Sequence, residues 1–537
     1  MRGKHIVSLA LASLMTVSML SGCAGGSDDN AVNARSIIAG YEKDSSGIPV
    51  LTHTEKGGTY SYNGRRTAIW GVENDQWQTV GKNRANFHKY LEGSEYVNAN
   101  TIALHSPWVV MEPEKDVYDF SDFDYYLEEA RKAGFKLVIY FTSVNYAAGD
   151  TVTFTPKYIL EDTETYSRVQ MEELEGVTDK LPMCPADPDT LEREQKMIAK
   201  FFEHLKQVNT DGTILSVNIG SEVDFIHELP LAGTKNVDIR CHCANCEARY
   251  TPDKGNLEYM TEIFAQYTKG VIDAAASVYD LPIYTPVASL MYWPGGRFVE
   301  QPDYIKQVVN RANHVVCPSV APTDHAATYR KEMDQFVAIE GNVAFASGID
   351  TGWTSPFNNQ LHLALAPWVT MFEYDGLGAI YWDHPDMSVT KTKGTREKLR
   401  TGWGPLRAAE YYISNVKGDS RVTTAWTYEK LEHEADLGSY HVKVTQEEDS
   451  NYGYGILVDS RELAFSATSY KEQPTTITVT ASGAMKEYTF ETGYYDADGN
   501  WVKSGTFEPQ IDGKTVTFAI NGDSGDYKSC VYRICAA

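Results

Sequence analysis

Eight short apolar runs recur along the first part of the chain. They are TAIWGVE (67–73), TIALHSPW (101–108), KLVIYFTS (136–143), ILSVNIGSE (214–222), IYTPVASL (283–290), HVVCPSV (314–320), VAFASGID (343–350) and GAIYWDH (378–384). Stretches of helical period lie between them, such as 123–134, 191–208 and 257–280. Short apolar strands alternating with helices predict a parallel sheet. Eight such units predict an α/β fold, a (β/α)8 barrel. Beyond about residue 416 the period changes. TTITVTAS, KEYTFETGYYDADGNWVKSG, KTVTFAIN and SCVYRICA alternate with period two and turn at Gly, Asp and Asn. This predicts a C-terminal all-β sandwich. DADGN (496–500) reads as a hairpin turn rather than a calcium loop, since no Glu follows at the spacing such a loop needs.

The N-terminus changes the picture of where this chain resides. Arg2 and Lys4 precede an apolar run from Ile6 to Leu20, and Leu20-Ser21-Gly22-Cys23 follows. That pattern is expected of a lipoprotein signal peptide, cut before a Cys that is then acylated. The expected organisation is therefore a signal peptide over 1–22, a lipid anchor on Cys23 and a tether over 23–50. A barrel over 51–415 and a sandwich over 416–537 follow. The expected location is the bacterial cell envelope, outside the cytoplasm, with the membrane reached through the Cys23 anchor. The formal charge of −25 repels phosphate backbones, which argues against a nucleic-acid partner. With 34 Tyr and 10 Trp the chain is rich in rings on which sugar faces stack, although cores use such rings too. Nothing in the sequence sets the oligomeric state.

RCHCANCEARY (240–250) crowds Cys241, Cys243 and Cys246 into six residues. An oxidising compartment permits disulfides, and free thiols are a further alternative. Three neighbouring thiols pair poorly among themselves, because disulfide geometry is demanding. They suit one tetrahedral Zn²⁺ if a fourth ligand is supplied, and Cys184 in LPMCPADPDTLERE is the natural candidate. His242 is a weaker one, being placed between two ligands. Cys317 is expected to be a small buried strand residue. Cys530 and Cys535 stand at odd spacing on one strand, so they should not pair with each other.

The segment 106–140 carries a W-x-x-x-E-P-x-x-x-x-Y-D-F-x-x-x-D pattern through Trp108, Glu112, Pro113, Tyr118, Asp119, Phe120 and Asp124. It resembles clan A glycoside hydrolases, in particular the family 35 and family 42 β-galactosidases. Cys184-Pro185, a strand ending in Glu222, and then Cys241, Cys243 and Cys246 follow in the order of family 42. The segment 142–166 looks more like bacterial lipoproteins related to family 35. The resemblance spans about 60–390. It implies that the four Cys bind a structural zinc and that Glu222 is the general acid/base. Two departures stand out. Clan A places Asn before the acid/base, where this chain has Ser221. The clan's nucleophile is a Glu at the end of the seventh strand, where this chain has Asp350; Glu340 reads as the end of the preceding helix, before Gly341.

Glycoside hydrolysis uses two carboxylates across the scissile bond, and residues at the C-terminal ends of barrel strands meet over one face. Glu222 and Asp350 are the expected pair, with Asp324 and Asp383 as alternatives for the second member. Ser221 is expected to hold the sugar. Trp108, Trp353 and Trp382 are candidates for sugar stacking or for packing around the mouth. Asn145, Tyr146 and Asp383 are further substrate candidates. The expected function is hydrolysis of terminal β-linked sugars, β-galactosidase-like. The alternative is a degenerate barrel that binds carbohydrate without cleaving it, favoured by the two departures.

Overall fold

The computed structural model describes residues 48–53, 58–63, 65–74, 84–143, 154–170, 183–220, 240–288, 302–308, 313–319, 326–350, 362–382, 393–415, 421–422, 432–446, 451–469, 474–522 and 525–536. Eight parallel strands close into a barrel. They are β4 (Ile69–Asn74), β5 (Thr101–Pro107), β6 (Lys136–Thr142), β7 (Ile214–Asn218), β8 (Ile283–Ala288), β9 (His314–Ser319), β10 (Phe345–Asp350) and β11 (Gly378–Trp382). Each is one of the eight apolar runs. They differ from the expected spans mainly at the ends. β7 stops at Asn218 because Gly220 leaves the extended region with φ +77°.

The barrel closes where β11 meets β4. Gly378 sits there with φ +115°, and a Cβ on it would lie 1.8 Å from the Ile69 carbonyl oxygen. Only glycine permits that approach. The helix Ala326–Val337 ends before a turn containing Gly341 at φ +77°. Glu340 is exposed in that turn, at the end of β10 remote from Asp350.

Before the barrel, the antiparallel strands β1 (Val50–His53), β2 (Gly58–Tyr62) and β3 (Arg65–Thr67) form a small sheet that the apolar pattern did not announce. It closes one end of the barrel: Leu51 and Tyr60 belong to the same buried cluster as Ile69, Ala103, Val138, Leu215, Val315 and Phe345.

The C-terminal strands form two antiparallel sheets, as their period-two alternation predicts. The first has order β12 (Arg421–Val422), β15 (Asn451–Asp459), β16 (Glu462–Ser469), β22 (Val531–Ala536), β18 (Tyr488–Tyr495), β19 (Trp501–Thr506). The second has order β13 (Glu432–Leu437), β14 (Tyr440–Gln446), β17 (Thr475–Thr480), β21 (Thr515–Ile520), β20 (Gln510–Asp512). Val442, Val444, Leu463, Phe465, Ile477, Val479, Val516 and Ile534 fill the space between them. The outer face of the first sheet packs on the barrel helices. Tyr454 donates from its buried hydroxyl to the Pro405 carbonyl at 3.0 Å, and Tyr412 donates to that of Gly499 at 3.1 Å. Gly499 lies in the 496–500 turn, where Asp496 accepts from the backbone N–H groups of Asp498 and Asn500. That stretch is a hairpin turn between β18 and β19, as expected. Cys317 is buried in β9. The Cys530 thiol donates to the Asp526 carbonyl (3.3 Å), so it is not paired with Cys535.

Candidate functional site

The four cysteines converge. Cys184 precedes the helix Pro188–Val208, while Cys241, Cys243 and Cys246 flank and enter the helix Ala244–Arg249. All four are buried, and their sulfurs lie within 4.8 Å of one another. Cys184 Sγ is 3.6 Å from Cys241 Sγ and 3.4 Å from the sulfurs of Cys243 and Cys246. A disulfide needs about 2.05 Å. Four sulfurs at about 2.3 Å from one tetrahedral centre would stand about 3.8 Å apart, so the spacing fits a shared cation.

The segment around Ser167–Gln170 holds the two arms together. The Ser167 carbonyl accepts from the Cys184 N–H (2.8 Å) and the Gln170 carbonyl from the His242 N–H (2.7 Å). Backbone N–H groups of Gln170, Ala186 and Cys243 point at sulfur, at 3.3–3.4 Å. Such donors favour thiolates. Asn245 bridges Ser167 Oγ and the Asp187 carboxylate, and Asp187 caps the helix Pro188–Val208. Three thiol neighbours and burial drive the Cys184 pKa up, which a bound dication would reverse. His242 is exposed and engages Glu247 at 2.7 Å, away from the sulfurs. The donor set is a closed one: four protein ligands leave no position for water.

At the C-terminal ends of the strands, Asp350 ends β10 and Trp382 ends β11, and the two are register partners. A bulge between Ala346 and Ile349 inserts one residue into β10 and brings position 350 level with position 382. Both are described in backbone only. Ser221, Glu222, Asn145, Tyr146, Trp353, Asp324 and Asp383 lie outside the described residues, as does Cys23. Gly220 is the last described residue before Ser221; a side chain there would meet Thr268 Cγ2 at 2.5 Å.

Trp108 follows β5 and is fully buried. Its indole N–H donates to Glu112 Oε2 at 2.8 Å. With no exposed face, it packs into the barrel rim. Glu112 also accepts from the Asp116 N–H (2.9 Å) and pairs with Arg193 of the helix Pro188–Val208. The E-P motif thus pins the segment after β5 to a neighbouring helix.

The sequence reading missed one polar pair inside the barrel. His105 Nε2 lies 2.5 Å from Glu73 Oε1, with both side chains 2% exposed. The His105 ring stacks on Tyr140 at 4.8 Å. The signal was present in strand parity. Ile69, Gly71 and Glu73 share one face of β4, and Thr101, Ala103 and His105 share one face of β5. A charged residue on the buried parity of a strand marks a special position.

No protein-family model matches the chain, and a search of curated proteins finds no match. Solved structures do resemble it. A β-galactosidase from Rahnella sp. R3 aligns at TM-score 0.45 and 13% identity, over 65% of this chain and 57% of that one. The catalytic domain of a β-amylase from Paenibacillus polymyxa aligns at 0.46 and 13%, over 65% and 98%. The exo-β-1,4-mannosidase Op5Man5 from Opitutaceae bacterium strain TAV5 aligns at 0.40 and 15%, over 66% and 58%. The chain therefore spans little more than half the length of two of these three enzymes.

Proposed function

We propose that this protein is a cell-surface glycoside hydrolase that removes terminal β-linked sugars. The observation that carries the reading is the position of its carboxylates along the strands. Asp350 ends the seventh barrel strand, and Glu222 follows the fourth by four residues, both towards the face where barrel enzymes assemble their sites. Glu222 protonates the leaving oxygen, a role that asks for a raised carboxyl pKa. Asp350 attacks the anomeric carbon, or activates water where the gap is wide. Carboxylates about 5–5.5 Å apart give retention, and about 6.5–9.5 Å give inversion. Asp is one methylene shorter than the Glu of the clan, which favours the wider gap unless the bulge in β10 brings the backbone inward. Ser221 takes the place of the clan's Asn at the sugar, donating and accepting through one hydroxyl. Trp353, Trp382, Asn145 and Asp383 complete the sugar site. The four cysteines hold a structural Zn²⁺ that braces the loops after the third and fourth strands.

The test is hydrolysis of a panel of aryl β-glycosides by the wild type, Glu222→Gln and Asp350→Asn. Turnover by the wild type alone supports the assignment. Full activity in Asp350→Asn would remove Asp350 from the mechanism. No turnover by a wild type that still binds sugar would favour the second reading, a binding barrel. The observations favouring that reading are Ser221 and Asp350 themselves, where the clan has Asn and Glu.

A further inference from the structure

The barrel interior changes character along its axis. Towards the N-terminal ends of the strands its inward residues are apolar: Ile69, Ala103, Val138, Leu215 and Val315. Towards the C-terminal ends it carries the Glu73–His105 pair, Tyr140, Thr142 and Asn218. Register partners share a face, and His105 pairs with Tyr140, which pairs with Asn218. Thr142 lies two residues beyond Tyr140 on the same face of β6.

Two observations set this belt apart from packing. The first is energetic. A buried carboxylate and imidazole give up their hydration, and apolar residues of similar volume commonly serve stability as well or better. Among the described residues, the layer below is filled mostly by apolar side chains. The second is a set of unmet hydrogen bonds. Thr142 Oγ1 and Asn218 Oδ1 are buried in residues of 0% exposure and have no partner. Buried polar groups are nearly always satisfied, so two orphans at the ends of neighbouring strands leave hydrogen-bonding capacity that a hydroxyl-bearing ligand could meet. Thr142 and Asn218 are the last residues of β6 and β7.

We propose that Glu73, Thr142 and Asn218 form the floor of a pocket that receives the hydroxyls of a sugar residue, with His105 holding the Glu73 carboxylate in place. A carboxylate accepts from two vicinal hydroxyls, a hydroxyl both donates and accepts, and an amide oxygen accepts. Together they match a polyol ring entering from the C-terminal end. The inference rests on the carbohydrate-handling part of the reading above and not on hydrolysis.

The experiment compares the wild type, Glu73→Gln and the double variant Glu73→Met/His105→Leu. D-galactose, D-glucose and D-mannose binding is followed by calorimetry, with p-nitrophenyl β-glycoside hydrolysis measured beside it. Glu73→Gln should weaken the best sugar at least about tenfold, the expected loss of a charged hydrogen bond. The double variant should keep the wild-type melting temperature within a few degrees and bind none of the sugars. A double variant that unfolds, beside a Glu73→Gln that binds normally, would make the pair structural and overturn the inference. Both variants binding like a hydrolytically active wild type would overturn it and leave the hydrolase reading standing. A wild type that binds but does not cleave, with binding lost in the variants, would support the floor while removing the hydrolase. No binding of any of the three sugars by the wild type would also overturn it.

Discussion

Arg193 meets the Glu112 carboxylate in the wall of the barrel, where Glu112 is fully buried and Arg193 is 6% exposed. The same carboxylate takes the Trp108 indole N–H, and Arg193 Nη1 continues to Asp116 at 2.9 Å. Removing the cation leaves a buried charge. Arg193→Met should therefore lower stability by about 3–5 kcal/mol, whereas removing both charges in Glu112→Gln/Arg193→Met should recover much of that loss. Urea unfolding midpoints of the two variants check this, and equal losses would show that the charges are not coupled.

Cys184 alone comes from the first arm of the sulfur cluster, so it joins two separate loops. Purified protein should hold about one zinc per chain, and Cys184→Ser should lower both zinc content and melting temperature. Elemental analysis finding under about half an atom per chain would count against a closed structural site.

Glu194 is buried on the helix Pro188–Val208, where the Tyr267 hydroxyl donates to it. Burial raises its pKa from 4.5 to about 7. The folded state therefore holds a proton that the unfolded state releases at lower pH. Stability should be highest below about pH 4.5 as far as this group is concerned, and should fall as pH rises to about 7, by about 3 kcal/mol in total. Glu194→Gln should flatten that slope, as read from unfolding curves at pH 5, 6, 7 and 8. An unchanged slope would show that another group sets it.

Arg533 in β22 binds both oxygens of Glu462 in β16, at 2.7 and 2.8 Å, and reaches Glu491 in β18 at 3.1 Å. Tyr495 donates to the same Glu462 and packs on Tyr412 of the barrel helix Glu410–Asn415, with ring centroids 4.6 Å apart. Arg533→Leu should destabilise the first sheet by about 3–5 kcal/mol and loosen its seat on the barrel. Hydrogen exchange should quicken both in β18 and in the helix Glu410–Asn415; quickening in β18 alone would show that the network ends within the sheet.

Cys23 is the proposed lipid attachment point. Wild type expressed with its full leader should sediment with membranes and carry a lipid mass on its first mature residue, while Cys23→Ala should be soluble. A wild type found wholly in the soluble fraction would exclude the anchor.

Much of the fold was legible because the barrel strands are apolar on both faces. Each of the eight runs reads the same whichever way its side chains point, and each became a strand. The small sheet β1–β3 was not legible, because a short strand such as Arg65–Thr67 is polar and earns its place only by pairing with β2. Trp108 was legible as a rim residue but not as a buried one. Its fate depends on Glu112 four residues on and on Arg193, which lies about eighty residues away in the chain.

By itself, the sequence determined the periodicities, and through them a barrel followed by a sandwich. It also determined the sulfur set, since C-x-C-x-x-C crowds three thiols by local spacing alone. Only tertiary structure decided that Cys184 joins them, for that contact closes across 57 residues of chain. The pairing of Glu73 with His105 was likewise decided by barrel closure and register, which bring adjacent strands' inward positions together. So was the level of Asp350 against Trp382, set by one extra residue in β10. Local pattern fixes what a segment becomes; which polar groups share a buried space depends on pairing register, and a one-residue slip changes every partner.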